Sequence, residues 1–193
     1  MSRISVATAE SVTQLAAVAG KVLVAGSHGG VIAAWFGATA GAHALILNDA
    51  GVGKDRAGIA GLAYLDDIGM AAAAVDCMSA RIGDGADMLA RGIISHANAY
   101  AALCGVAAGQ SCQEAVGRLR GAAAPRCAPP PYSEGRWRVE GGPPETWALD
   151  SVGKIDPADG GRILVIGSHG ALLGGRPESA DGFRSMPQSL LRS

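Results

Sequence analysis

Apolar residues in this chain come in short unbroken runs, separated by glycine-rich joins. The runs Val22–Gly26, His43–Asn48 and Ala71–Asp76 lack the polar alternation of a half-exposed strand, so each predicts a strand buried on both faces. Between them, Val31–Ala40 and Ala57–Ile68 read as helices. Gly37 weakens the first, and Gly69 stands where a helix C-terminus favours glycine. A helix from about Asp87 to Cys104 and a short one over Ser111–Arg120 follow. The alternation predicts an α/β fold, with an open, mostly parallel sheet, helices on both faces and right-handed crossovers.

The pattern then changes. Ala122–Tyr132 contains Pro125, Pro129, Pro130 and Pro131, and reads as an extended, semi-rigid connector. Strands are expected at Arg136–Val139, at Thr146–Val152 (an edge strand) and at Arg162–Ile166, and the chain from Arg176 onward reads as a loose tail. The organisation is therefore an α/β lobe over 1–123, a connector over 124–135 and a smaller C-terminal segment over 136–193. Gly26-Ser27-His28-Gly29 and Gly167-Ser168-His169-Gly170 each follow an aliphatic run, and Ser11-Val12 and Ser151-Val152 precede those runs at almost the same distance. This suggests that the C-terminal segment repeats the first strand–turn unit. The alternative is two independent strand ends written in the same Gly- and Ala-rich vocabulary.

With 193 residues the chain is long enough for a substantial core, and with 49% apolar but only 4% aromatic residues that core must pack small side chains closely. Net charge is −1 with basic residues scattered, which argues against a nucleic-acid partner. No apolar h-region follows Met1, and the most apolar long stretch, Met88–Ala108, carries Arg91, His96 and Asn98. Neither a secretory signal nor a membrane span is expected, and the four cysteines lack zinc or disulfide spacing. A cytoplasmic protein is the expectation, with a homo-oligomer allowed by the apolar surface of its small-residue helices.

In open parallel sheets of the Rossmann or flavodoxin kind, which the alternation resembles, ligands sit beyond the carboxyl ends of the strands. Three loops occupy that position. The first offers Ser27, His28, Gly29 and Gly30, whose backbone N–H groups at a helix start can hold an anion; the plain alternative is Ser27 as a helix cap. The second, Asn48 to Asp55, offers Asp49 as a base or orienting carboxylate and Lys54 as a point charge for an acid group. Asp55 stands where a phosphate loop needs a hydroxyl, so no nucleotide triphosphate is implied. The third, Asp76 to Gly85, concentrates Cys77, Ser79, Arg81 and Asp84; Arg81 can grip a carboxylate and Asp84 can serve as an acid–base group or as a helix cap. Ser168 and His169 add the same pair from the second copy. Ser95, His96 and Asn98 are placed on a helix near the third loop, and His43 is read as structural.

Gly-Ser-His-Gly is similar to the nucleotide loop of universal stress proteins, but the acidic strand end of that family is missing, and its function is not carried over. A 2-1-3 strand order would set His28 beside Cys77, about fifty residues on, and that pairing resembles the His-Gly and Cys of caspase-like peptidases. Their Gln-Ala-Cys-x-Gly context is replaced by Val75-Asp76-Cys77-Met78-Ser79.

These residues point to an enzyme of hydrolase, lyase or isomerase type acting on a small anionic polar metabolite. His28, Asp49, Asp84 and Cys77 are the candidate catalytic groups, and Ser27, Gly29, Gly30, Lys54, Ser79, Arg81, Ser168 and His169 the candidate binding groups. No redox-cofactor fingerprint and no metal-ligand spacing are present. The rivals are a non-catalytic anion- or nucleotide-binding regulatory module, and a cysteine hydrolase with a Cys77/His28 dyad.

Overall fold

The computed structural model describes residues 4–167, which fall into two compact units divided after Pro131. In the first unit five strands form one sheet: β1 (Val6–Ala9), β2 (Val22–His28), β3 (Ala44–Asn48), β4 (Ala72–Val75) and β5 (Ile94–Ala97), in that spatial order. The first four are parallel and β5 is antiparallel to β4. Helices α1 (Val31–Thr39) and α2 (Ala60–Asp67) cover one face, and α3 (Gly85–Arg91) and α5 (Cys112–Leu119) the other; α4 (Ala99–Leu103) follows β5.

The unbroken apolar runs are explained by burial on both sides. Leu23, Leu45 and Leu47 point toward α1 and α2, while Val22, Val24, Ile46 and Val75 point toward Met88, Val116 and Leu119. Small residues set the spacing. A Cβ on Gly37 would collide with the Leu45 side chain, so the glycine that looks helix-breaking in the sequence is the contact between α1 and β3.

Three expectations change. The strand order is sequential, not 2-1-3, because the crossovers through α1 and α2 each advance by one strand along the same face and leave the two helices side by side. β3 therefore separates β2 from β4. The stretch read as one helix over Asp87–Cys104 is α3, β5 and α4: the backbone turns extended at Gly92, and Ile93-Ile94 favours a strand. Asn98 then restarts the helix, its carbonyl accepting the Ala101 and Ala72 N–H groups while its amide donates to Met70 O. β1 was not expected at all; its Ala- and Thr-containing sequence is a weak strand signal.

The proline-rich segment folds back onto the first unit. The Arg126 N–H donates to Ile68 O at 2.8 Å, the Tyr64 hydroxyl donates to Pro130 O at 2.9 Å, and His43 Nε2 lies 3.0 Å from Ala122 O, the structural role expected of His43.

The second unit holds a three-stranded sheet of β6 (Arg136–Val139), β7 (Thr146–Leu149) and β8 (Ile163–Ile166). β7 pairs antiparallel with β6 and parallel with β8, so it is the central strand and not an edge. The unit is built around a charge. Asp159 is fully buried and bonded to Arg136 at 2.7 Å and Arg162 at 3.0 Å, and both guanidinium groups lie over the Trp147 ring. Burial pushes the Asp159 carboxyl up, but these bonds and the Asp156 N–H outweigh it and hold the group below its ordinary value. Ser168, His169 and the expected tail lie outside the described residues. Among the described residues no helix is long and apolar enough to cross a membrane.

Candidate functional site

The tips of β3 and β4 bring three reactive side chains, Asp49, Asp76 and Cys77, together. The chain leaves β3 at Asn48 and enters a run of left-handed residues: Ala50 (φ 50°), Gly51 (72°), Val52 (65°), Gly53 (69°), Asp55 (55°) and Arg56 (60°). Left-handed backbone is a genuine outlier for β-branched Val52, and each such residue carries roughly 1–3 kcal/mol of strain. The coil is held by hydrogen bonds from Val52 N to Asp49 O at 2.8 Å and from Gly58 N to Val52 O at 2.7 Å. A Cβ on Gly51 would stand 3.8 Å from the Cys77 sulfur, an ordinary van der Waals contact.

Asp49 sits under this coil, only 4% exposed. Its Oδ1 accepts the Gly51 N–H at 2.9 Å and the Cys77 N–H at 3.0 Å. Burial pushes its carboxyl up. The Gly51 N–H, the Ser95 hydroxyl, and the N–H and thiol of Cys77 outweigh that and leave it below its ordinary value. Cys77 moves the other way. Burial first, then the charge of Asp49 and the hydrogen bond to it, then the charge of Asp76, push the thiol up, against a smaller opposing bond from Gly51. One group is held ionised and its neighbour protonated.

Asp76 and Ser79 complete the turn. Asp76 Oδ1 accepts the Met78 N–H at 2.8 Å; the Ser79 hydroxyl donates to Asp76 O at 2.7 Å and accepts the Ile93 N–H at 2.9 Å. Ser79 thus ties the β4 loop to β5 rather than facing a ligand. The ligand atoms of Asp49, Asp76 and Cys77 all lie within 4.8 Å of one another, a spacing that can hold a metal ion. On β5, Ser95 Oγ is 3.1 Å from His96 Nδ1 and donates to Ala74 O at 3.2 Å.

The other candidates are engaged elsewhere. Ser27 Oγ accepts the Val12 N–H at 3.0 Å, so it pins the β1–β2 loop instead of capping α1. The Gly29 N–H donates to Asn48 O at 2.7 Å and the Gly30 N–H to His28 Nδ1 at 3.0 Å, which occupies both amides of the expected anion cradle. His28 Nδ1 therefore acts as an acceptor, at the end of β2 and next to Asn48 in the sheet. Asp84 caps α3 by accepting the Asp87 N–H at 2.9 Å. The Gly83 and Gly85 that flank it approach the backbones of β1 and β2: Gly83 N donates to Gly26 O at 2.7 Å, and a Cβ on Gly85 would meet Ala9 and Val24 carbonyls. The exposed Arg81 guanidinium lies 3.9 Å from the Asp87 carboxylate, and the Arg81 backbone N–H donates to the same group at 2.8 Å. Asp87 is also clamped bidentately by Arg91, and these bonds hold it down at about 2. Lys54 is exposed and has no ion pair among the described residues.

Asp49 and Cys77 thus meet at the strand tips, and Lys54 lies exposed further along the loop that follows Asp49. His28 lies one strand further, roughly 10 Å from Cys77 by strand spacing. Ser95 and His96 are the neighbours that helix periodicity misplaced; Gly92 followed by Ile93-Ile94 is the signal that would have put them on a strand. Asn48 is a further residue that the sequence does not single out. It is fully buried, its Oδ1 accepts the Ala50 N–H at 2.9 Å, and its Nδ2 has no partner among the described residues. The chain matches no known family model, no curated protein and no solved structure.

Proposed function

We propose that the tips of β3 and β4 form the active site of an enzyme that moves protons on a small polar metabolite, in a reaction of hydrolase, lyase or isomerase type. The observation that carries this is the opposed pair Asp49 and Cys77, in which a buried carboxyl is held ionised against a thiol held protonated. Neighbouring titratable groups driven in opposite directions can divide the roles of base and acid between them. Asp49 takes the proton and Cys77 gives one. Lys54, exposed on the loop that follows Asp49, is the cation for the substrate's acid group, in place of Arg81, which lies against Asp87. The reacting centre itself is neutral, since two carboxylates stand within reach of it.

The raised thiol and the intervening β3 turn this reading away from a cysteine hydrolase built on Cys77 and His28. The occupied Gly29 and Gly30 amides turn it away from an anion-binding regulatory module. A flavodoxin-like ancestry and a duplicated Gly-Ser-His-Gly unit are not needed by this chemistry.

A thermal-shift panel of small hydroxy-, keto- and amino-acids tests the proposal. A ligand present at a hundred times its dissociation constant stabilises by about 2.7 kcal/mol. A hit weakened by Lys54→Ala supports the assignment, provided that Asp49→Asn and Cys77→Ser keep the shift and lose turnover of that compound. Turnover that survives both substitutions refutes it.

A second reading rests on the 4.8 Å cluster itself: Asp49, Asp76 and Cys77 offer two oxygens and a sulfur, a donor set suited to zinc with an open position. Cobalt(II) titration distinguishes it. A thiolate-to-metal absorption band lost in Cys77→Ser supports a metal site; its absence leaves the metal-free pair.

A further inference from the structure

We infer that the cavity under the proline-rich segment is a binding site for a neutral, mostly apolar ring compound. It stands apart from the strand tips and does not depend on the acid–base reading of Asp49 and Cys77. The cavity lies at the other ends of the strands, where Gly20, His43 and Met70 lead into β2, β3 and β4. Its volume is about 590 Å³, within the range of about 300–1,000 Å³ typical of small-molecule sites.

Three walls converge on this space. Trp35 comes from α1, Ile68 and Met70 from the turn between α2 and β4, and Pro125, Pro129 and Pro131 from the connector, which forms the roof. The roof is fastened at two points. The Arg126 N–H donates to Ile68 O at 2.8 Å, with the guanidinium 5.0 Å over the Tyr100 ring, and Pro130 O accepts the Tyr64 hydroxyl at 2.9 Å. Proline fixes φ along this segment, which keeps it from collapsing into the gap. The Trp35 ring is set by an edge contact with Phe36, 5.0 Å between ring centroids.

The polarity of these walls decides what fits. Among the described residues no side chain of fixed charge lines the cavity. Its backbone donors are already committed: Gly20 N to Gly41 O at 2.8 Å, Gly41 N to Ala38 O at 2.9 Å, Ala42 N to Gly37 O at 3.3 Å and Met70 N to Leu65 O at 3.0 Å. His43 Nε2 lies against Ala122 O, an atom that only accepts, so this nitrogen carries the proton and Nδ1 is the acceptor that the neutral ring has left. Thr39 and Cys127, both exposed, are the other polar side chains on the walls. An ion or a sugar would lose its water here and find few partners, which costs binding. A flat ring system against Trp35 and the prolines releases loosely held water instead, and a single N–H or O–H donor is served by His43 or Thr39. A helix about 10 Å across would fill this volume in little more than one turn, too short to dock, so the occupant is a small molecule.

Fluorescence titration of the full-length protein with N-phenyl-1-naphthylamine, a neutral compound that brightens in apolar surroundings, tests the site. Saturable one-to-one binding is expected. At about ten times the dissociation constant roughly a tenth of the molecules remain empty, so alkylation of Cys127, read by peptide mass spectrometry, slows about tenfold while that of Cys104 does not. Ala128→Trp, which puts an indole into the cavity from the roof, abolishes binding; Ala123→Trp, in the same segment but outside the walls, keeps it. The negatively charged 1-anilinonaphthalene-8-sulfonate, with nearly the same rings, binds at least about tenfold more weakly. No saturable binding of the neutral compound, binding unchanged in Ala128→Trp, or Cys127 alkylated at the same rate with the compound bound overturns the site. Equal affinity for the charged compound overturns the neutral ligand class. If both tryptophan variants lose binding, protection of Cys127 in the parent protein decides.

Discussion

The Cys77 N–H donates to Asp49 Oδ1 at 3.0 Å, and the thiol of the same residue faces the same carboxylate. One backbone bond thus fixes the carboxylate against the thiol. The contact exists because β3 and β4 are neighbours in register, with Asn48 opposite Val75, so the two following loops meet.

The glycines around this site divide by role, and substitution separates them. A Cβ on Gly26 would run into the backbone of Gly83 and Asp84 and the Glu10 carbonyl, none of which can swing aside. Gly26→Ala is expected to destabilise the protein by about 1–3 kcal/mol in urea denaturation. Ala50→Gly acts in the opposite sense: exposed Ala50 is held at φ 50°, and glycine there removes strain without loss of packing. It is expected to stabilise by about 0.5–1 kcal/mol. A destabilised Ala50→Gly would show that the coil is not strained.

How much of this is visible in the sequence depends on the element. The strands around Val24, Ile46 and Ala73 announce themselves because burial on both faces demands unbroken apolar runs. Ile94–Ala97 does not, since four residues between two short helices satisfy helical spacing equally well; only Gly92 and the β-branched pair Ile93-Ile94 argue otherwise. Asp49 and Cys77 are each recognisable as strand-tip residues. Their partnership is not, because it depends on strand order, and nothing local says whether a crossover advances one strand or jumps over its neighbour. The same ambiguity pairs Cys77 with His28, which β3 keeps apart. The Gly-Ser-His-Gly turn misleads for a related reason: its amides look available for a ligand until Asn48 O and His28 Nδ1 are seen to accept them.

Acid stability follows from Asp87. Its carboxyl stands at about 2 in the folded protein, against about 3.9 in an unfolded chain, so its contribution is complete above the higher value and is lost as pH falls through the lower. Asp87→Asn is expected to be less stable than the parent at pH 6 and to converge with it near pH 2, as read by urea midpoints across that range. A constant difference at all pH values would rule out the ion cluster with Arg91 and Arg81 as the cause.

The second unit has a polar centre, and that makes it brittle. Asp159→Asn leaves Arg136 without its carboxylate partner and Arg162 with Glu145 alone, both guanidinium groups still over Trp147. Breaking a buried pair costs about 3–5 kcal/mol, less where the cation is partly exposed, so a loss of about 2–4 kcal/mol is expected. Trp147 fluorescence reports it. Because the first unit has its own two cores, circular dichroism of its helices should outlast that transition.

The most direct test of the central claim is the pH dependence of Cys77 alkylation by iodoacetamide, resolved by peptide mass spectrometry, in the parent protein and in Asp49→Asn. An ordinary thiol with a pKa of about 8.5 is only about 3% thiolate at pH 7. Cys77, pushed above its ordinary value beside an ionised carboxylate, must react more slowly than that, and Asp49→Asn must speed it by about 3–10-fold, with the rate curve displaced to lower pH. Rapid labelling of the parent at pH 7, or identical curves for the two proteins, would contradict the account: Asp49 and Cys77 would not be a base held ionised against an acid held protonated.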